Sequence, residues 1–350
     1  MPIFENKLVQ AVLWPLSLLY GLGIALRNAA YDRGWLENHA VEALVISVGN
    51  ISVGGTGKTP VTLFLSQELT RAGVRVGILS RGYGRRTRGT VLVSRGEGPL
   101  CTPQEVGDEP YWLALRTQQV PVVVDEDRVR GGRILVRDFG VRVILLDDGF
   151  QHRRLRRDLD LVLFDPAQYR AAPHLLPAGF FREPLRSLRR AHWLWISGQT
   201  VDAQRQPWQP YFAGPTAFIE FAPTGVWEPL KQRHHATDIL KKARVVAVAG
   251  IARPARFFDM LTTLGADMVQ KFAFRDHYVY KENDWRQLRQ AWRVTGADFV
   301  VTTGKDWIKL EPMAKTDKVP VLVLEIGVHL SLERLQEFMQ DIQGKMQERF

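Results

Sequence analysis

The chain has 350 residues, 45% of them hydrophobic and 24% charged, without a low-complexity tract or an internal repeat, which excludes a disordered or solenoid protein. A net charge of +10 favours an anionic partner: nucleic acid, acidic lipid or a phosphorylated substrate. Cys101 is the one cysteine, which excludes a disulfide framework and a cysteine zinc site and suits a reducing cytoplasm.

Residues 8–26 carry no charge and lie between Lys7 and Arg27. Their length approaches the ~20 residues needed to span a bilayer. Pro15, Gln10, Ser17, Gly21 and Gly23 interrupt the apolar run, and both flanks are basic. A helix lying in the membrane interface is the leading expectation, ahead of a spanning helix and a buried core helix. No small-residue cleavage site points to a signal peptide.

Residues 45–59 read VISVGNISVGGTGKT. A short apolar run has the composition of a buried strand, and a glycine-rich turn, Lys58, Thr59 and a helical pattern follow. Glycines let successive backbone N–H groups point inward around phosphate, Lys58 reaches the outer phosphates, and the Thr59 hydroxyl holds Mg²⁺. The nucleotide-binding set is Ser52, Val53, Gly54, Gly55, Thr56, Gly57, Lys58 and Thr59. Ser52 stands where the usual motif has its first glycine, with Gly54 and Gly55 supplying flexibility. The plainer reading is a glycine turn that happens to precede a helix.

Pro60 suits a first helical turn, and Val61, Phe64, Leu65, Leu69 and Ala72 share one helical face before Gly73. Strand-like runs recur at 74–79, 120–124, 141–146, 159–164 and 193–196, with helical patterns at 110–118 and 127–139. This alternation predicts an α/β fold with a parallel sheet covered on both faces, and ligands beyond the carboxyl ends of its strands. Residues 198–215, rich in Gln, Pro and Trp, read as a linker. A second, smaller α/β pattern follows: strands at 245–249, 299–303 and 319–326, a helix at 254–264, and a last helix capped by Ser331 with Leu332, Leu335, Phe338, Met339 and Ile342 on one face. The expected domains are an apolar membrane-associated helix (1–30), a P-loop kinase-like domain (31–200), a linker (201–222) and a smaller α/β domain closing over the active site (223–350).

Asp147 and Asp148 end the 141–146 run, the strand-tip position of magnesium-binding acids; a turn would use the same residues. Gly107 and Asp108 precede a helix, where an acid is stabilised by the dipole whatever its role. The stretch 80–85, SRGYGR, places arginines after a strand. The basic run 151–157, QHRRLRR, with Arg182, Arg186, Arg189 and Arg190, suggests an anion-binding surface or a solvated face. It lacks the interleaved aromatics of a single-strand nucleic-acid platform, so no nucleic-acid partner is expected. Asp276 and His277 are adjacent, and the histidine can serve a carboxylate base.

Taken in order, VGNISVGGTGKTP (48–60), SRGYGR (80–85), GDEP (107–110), DDGFQH (147–152), FREP (181–184), DHY (276–278) and TTGKD (302–306) resemble the tetraacyldisaccharide 4'-kinases of lipid A biosynthesis. The resemblance implies a P-loop NTPase-like kinase using ATP and Mg²⁺ at the cytoplasmic face of the bacterial inner membrane, peripheral or monotopic. Its acceptor would be the 4'-hydroxyl of a tetraacylated glucosamine disaccharide 1-phosphate, giving lipid IVA. Carried over by motif, Asp108 is the base assisted by His277; Lys58 and Asp148 complete the catalytic set. Thr59, Asp147 and Asp148 serve the metal, and Gln151, His152, Arg182 and Glu183 the substrate. Gly304 departs from the pattern, where the resemblance implies an acidic residue. The alternatives are a P-loop GTPase, disfavoured because TGKD at 303–306 puts lysine one place too late for guanine reading, and a nucleotide-gated membrane scaffold.

Overall fold

The computed structural model describes residues 6–198, 206–276, 278–317 and 319–350. The chain divides into two compact units, Met1–Glu220 with Val328–Phe350, and Phe221–Gly327.

In the first unit the strands β1 (Leu44–Asn50), β2 (Val76–Ser80), β3 (Val91–Ser94), β4 (Val122–Val124), β5 (Val143–Asp147), β6 (Leu159–Phe164), β7 (Trp193–Ser197) and the start of β8 (Thr216–Glu228) lie in the order β3-β4-β2-β5-β1-β6-β7-β8. Every pairing is parallel except β3 on β4. β1 and β5 are buried along their whole length, which explains their continuous apolar runs. Their register sets Val48 beside Asp147, so the strand leading into the glycine loop ends next to the first acid of the DDGF motif.

Helices α2 (Lys58–Arg71), α3 (Pro103–Val106), α4 (Asp108–Arg116), α5 (Arg128–Phe139) and α6 (Pro166–Ala171) connect these strands. Asp127 caps α5, accepting from Val129 N and Arg130 N.

The apolar N-terminal stretch forms α1 (Lys7–Asp32), one continuous helix through Pro15, capped by Asn6. It is long and apolar enough to cross a membrane, with a mean hydropathy of 1.7 over its best window, only 6% of which is buried. That exposure rules out the buried core helix.

The segment expected as a linker differs from that expectation in residues 206–215; residues 199–205 lie outside those described. Trp208 is 1% exposed and packs edge-on to Phe164 in a cluster with Phe150, Phe180 and Phe181. Pro and Gln suggested a loose connector, but three aromatics in ten residues, Trp208, Tyr211 and Phe212, hold it against the sheet.

The second unit has β10 (Arg244–Ala249), β11 (Asp267–Ala273), β12 (Phe299–Thr303) and β13 (Val321–His329) in the order β11-β10-β12-β13, parallel throughout, with β9 (Arg233–His235) antiparallel to the end of β8. Helices α7 (Pro254–Thr263), α8 (Glu282–Thr295) and α9 (Gly304–Ala314) accompany them. Asp306, fully buried, accepts from Gly250 N and the Tyr280 hydroxyl, both at 2.9 Å, so the TTGKD motif ties this unit together. Burial raises the Asp306 pKa.

Helix α10 (Leu332–Arg349), capped by Ser331, packs with the first unit rather than the second. Phe338 sits edge-on to Trp193 and Trp195 at 5.1 and 5.2 Å, and Trp193 Nε1 donates to Asp341. Helical periodicity placed the buried Phe338 and Ile342 on one face, although Leu332 of the same expected face is 68% exposed, and it carries no information about which sheet receives the helix.

Candidate active site

The site forms at the carboxyl ends of β1 and β5. Glycines permit the loop's turns: Gly54 and Gly57 have φ of +96° and +87°, and Gly57 caps α2 in the left-handed region. Lys58 and Thr59 therefore open the helix, where backbone amides face an incoming anion. Asn50 Nδ2 donates to Thr56 Oγ1 at 2.7 Å inside the loop.

Ser52 has a structural use. Its hydroxyl donates to Gln168 Oε1 at 2.7 Å, and Gln168 Nε2 donates to the Val53 carbonyl at 3.3 Å. Val53 N also donates to the Phe180 carbonyl at 2.7 Å. A side chain at the first-glycine position thus straps the loop to its surroundings, which glycine could not do.

At the tip of β5 the paired acids differ in surroundings. Asp147 is 1% exposed, and the hydroxyls of Thr62 and Ser80 approach its oxygens at 3.4 and 3.3 Å. Asp148 turns outward with φ +54°, a conformation uncommon for a residue with a Cβ. Lys58 Nζ lies 3.5 Å from Asp148 Oδ1, and Arg182 Nη1 is 3.0 Å from both carboxylate oxygens. Burial acts to raise the Asp148 pKa, but these cations outweigh it and hold the carboxyl below its usual range.

Gln151 donates to the Asn50 carbonyl at 2.8 Å, and its Oε1 is 3.5 Å from Arg182 Nη1. Glu183 is fully buried, accepting from Asn28 Nδ2 at 2.9 Å and Arg190 Nη2 at 2.8 Å. Arg190 also lies over the Phe150 ring at 4.6 Å. His152 is not a cationic anchor: burial first, then Arg128 and Arg157, pull its pKa down to about 4, so the ring is neutral near pH 7.

Asp108 is the first residue of α4, behind Gly107. Gly107 has φ +93°, and a Cβ there would come 2.8 Å from the Tyr83 carbonyl. The 80–85 stretch packs under the head of α4 in this way. Its Arg85 is bonded to Glu126 and the Gly89 carbonyl, hence structural rather than phosphate-facing. Much of the basic run is similarly engaged: Arg153 with Asp32, Arg154 with Asp127, Arg157 with Asp160. Intramolecular pairing reduces the free anion-binding surface suggested by the sequence. His277 lies outside the described residues.

Sequence reading missed Gln168, Asn28 and Arg128. Arg128 opens α5, is 4% exposed, and has its pKa pulled down to about 10 by burial and then Arg81, against the opposing charges of Asp148 and Asp147. A lone arginine at a helix start carries no signal of this; only the fold brings it near the acids. Among the described residues no cluster of His, Cys, Asp and Glu forms a ready-made metal cage.

A family model described as Tetraacyldisaccharide-1-P 4'-kinase matches residues 9–347. This chain belongs to the tetraacyldisaccharide 4'-kinase family. A tetraacyldisaccharide 4'-kinase of Desulfatibacillum aliphaticivorans is 35% identical over 355 residues, spanning 98% of this chain and 95% of that one. The enzyme of the same description from Geobacter metallireducens is 38% identical over 329 residues, 92% of this chain and 95% of its own. Among solved structures, the "apo" form of LpxK from Aquifex aeolicus in complex with ATP matches with a TM-score of 0.78 at 33% identity, over 98% of this chain and 99% of that chain. As a tetraacyldisaccharide 4'-kinase family member the chain is an enzyme, a kinase of lipid A biosynthesis with the family's α/β fold. The GTPase and scaffold alternatives fall with that assignment.

Proposed function

We propose that this kinase transfers the γ-phosphate of ATP to the 4'-hydroxyl of a tetraacylated glucosamine disaccharide 1-phosphate, giving lipid IVA. The observation that carries the reading is the convergence of Lys58, Asp148 and Arg182 at the head of the phosphate loop. Phosphoryl transfer asks chiefly for positioning and neutralisation of charge. Lys58 and the loop amides take the nucleotide phosphates, and Arg182 exchanges part of its hold on Asp148 for the transferred group.

Mg²⁺ fits this donor set. It retains waters and takes a carboxylate or two besides phosphate oxygens, rather than a full protein cage. Asp147 and Thr59 would hold it; Asp148, already facing two cations, is the weaker candidate and serves mainly to orient Lys58 and Arg182. Bound there, the ion would neutralise charge on the phosphates.

Asp108 is the base in this reading, with His277 assisting. Its carboxylate begins α4, and the buried Gly107 corner fixes where that helix starts. Gln151, His152, Arg182 and Glu183 form the acceptor side, the neutral His152 as a hydrogen-bonding rather than a charged group.

The exposed stripe Leu8, Val12, Leu19, Leu22 and Leu26 of α1 suits a lipid surface. Lying on the cytoplasmic leaflet, it would bring the catalytic unit to a substrate whose acyl chains stay in the bilayer. The test is purified full-length chain with ATP and a panel of lipid disaccharides, following phosphate at the 4'-position. Asp108→Ala is expected to lower turnover by about 10²–10⁴-fold while ATP binding survives. Undiminished turnover in that variant removes Asp108 as the base.

A further inference from the structure

Helix α1 has two faces. Leu8, Val12, Leu19, Leu22 and Leu26 point outward. Ser17, Tyr20, Arg27 and Asn28, at helical spacing on the other side, are bonded to the kinase body. The partners of Ser17, Tyr20 and Asn28 fall in one short segment, residues 175–183.

The Ser17 hydroxyl donates to the Leu175 carbonyl and accepts from Ala178 N, both at 2.9 Å. The Tyr20 hydroxyl donates to the Arg182 carbonyl at 3.0 Å, and Asn28 Nδ2 to Glu183 at 2.9 Å. Gly21 allows the close approach, since a Cβ there would meet Leu175 Cδ1 at 2.8 Å. On its other side the same segment bonds the phosphate loop: Arg182 N donates to the Ile51 carbonyl at 2.8 Å, and the Phe180 carbonyl accepts from Val53 N at 2.7 Å. Arg27 adds a separate bond to the carbonyl of Gln151 at 2.6 Å.

We propose that residues 175–183 are a strap coupling α1 to the phosphate loop, so that the seating of α1 on a lipid surface sets the position of Val53 and Arg182, with Ser17, Tyr20 and Asn28 as positioning residues. The strap has no contact to make with lipid for this to work. It transmits the placement of a helix whose outer stripe is exposed among the described residues and whose inner face carries Ser17, Tyr20 and Asn28, all bonded to this segment. A helix serving only as an anchor needs the outer stripe alone. The inner hydrogen bonds have a directional use: each fixes a backbone group of the strap, and the strap in turn fixes backbone groups of the loop.

The coupling rests on the kinase reading for its kinetic arm, so the experiment includes an arm independent of turnover. Full-length wild type and Tyr20→Phe/Asn28→Ala are compared on vesicles of phosphatidylethanolamine and phosphatidylglycerol. Three quantities are read: vesicle binding, kinetics with ATP and acceptor, and hydrogen exchange at the Val53 amide with and without vesicles.

The expected result is vesicle binding within about twofold of wild type, kcat lower by about 10-fold and a raised KM for ATP, because small misplacements of a catalytic group are costly. Vesicles should slow Val53 exchange in the wild type and not in the variant. Kinetics of the bound variant within about twofold of wild type, or Val53 exchange in the wild type indifferent to vesicles, overturns the coupling. A variant whose losses all follow from weaker vesicle binding overturns it too, leaving α1 as an anchor. Should the double variant lack a cooperative thermal transition, Tyr20→Phe alone, which deletes one hydroxyl, is read by the same criteria. Failure of the wild type to phosphorylate any lipid disaccharide counts against the kinase reading, while the exchange arm still decides the coupling.

Discussion

Lys58 and Asp148 meet at the head of α2, with Nζ 3.5 Å from Oδ1, and Arg182 Nη1 lies 3.0 Å from both oxygens of the same carboxylate. Asp148 is thereby a counter-ion for both cations that the proposed function assigns to the phosphates. Replacing it with Asn leaves Lys58 and Arg182 without their shared anion and free to misplace. Asp148→Asn is expected to lower kcat by about 10–100-fold. It should also change stability with pH in a set direction. A carboxyl depressed in the folded state contributes stability above its unfolded pKa, about 3.9, and loses it as pH falls through the folded value. Thermal midpoints of wild type and variant should therefore converge below about pH 4; a constant difference across pH would show that the ion pairs do not stabilise the fold.

His152 gives a second pH dependence, in a different window. Its pKa is pulled to about 4 from the ordinary 6.5, so the unfolded chain binds the proton more readily. Stability contributed by keeping the ring neutral is complete above pH ~6.5 and declines as pH falls toward ~4, with no further loss below. The decline is at most about 3 kcal/mol. Denaturant titrations of wild type against His152→Gln across that range measure it. Parallel curves for the two proteins would contradict the burial of a neutral ring.

Gly107→Ala tests the corner that begins α4. Alanine at φ +93° is strained, and its Cβ would press on the Tyr83 carbonyl at 2.8 Å. The expected cost exceeds about 1 kcal/mol. Turnover should fall with it because Asp108 follows directly, and unchanged activity would detach Asp108 from the geometry of this corner.

Gln168→Ala removes the partner of Ser52. The buried Ser52 hydroxyl and Val53 carbonyl then lose their bonds, at a cost of about 1–3 kcal/mol in urea unfolding. A rise in KM for ATP should accompany it, since the loop is held there. A variant with wild-type stability and KM would show the Ser52–Gln168 bond to be redundant.

Much of this was legible in the chain itself. Near-continuous apolar runs such as 141–146, interrupted only by Arg142, are characteristic of parallel strands covered on both faces, and β5 is buried throughout. Ser331 capped its helix as its type and position suggested. Other readings failed for physical reasons. Gln and Pro around Trp208 looked like a connector because local composition does not register burial, which a distant partner, Phe164, provides. The arginines of 151–157 looked like a surface for anions because charge along a sequence is visible, whereas Asp32, Asp127 and Asp160 come to them only by folding.

Sequence alone determined the kinds of groups available: a glycine loop closed by Lys58 and Thr59, a strand ending in two acids, and an apolar stretch ahead of both. Those follow from local rules, because backbone freedom, strand burial and helix starts are properties of neighbouring residues. The tertiary structure decided how the groups divide their work. It put Arg182 rather than solvent beside Asp148, gave Ser52 a partner in Gln168, and turned one face of α1 toward residues 175–183. Such contacts join residues from 34 to 162 positions apart, and no periodicity within a segment records which distant side chain will meet it.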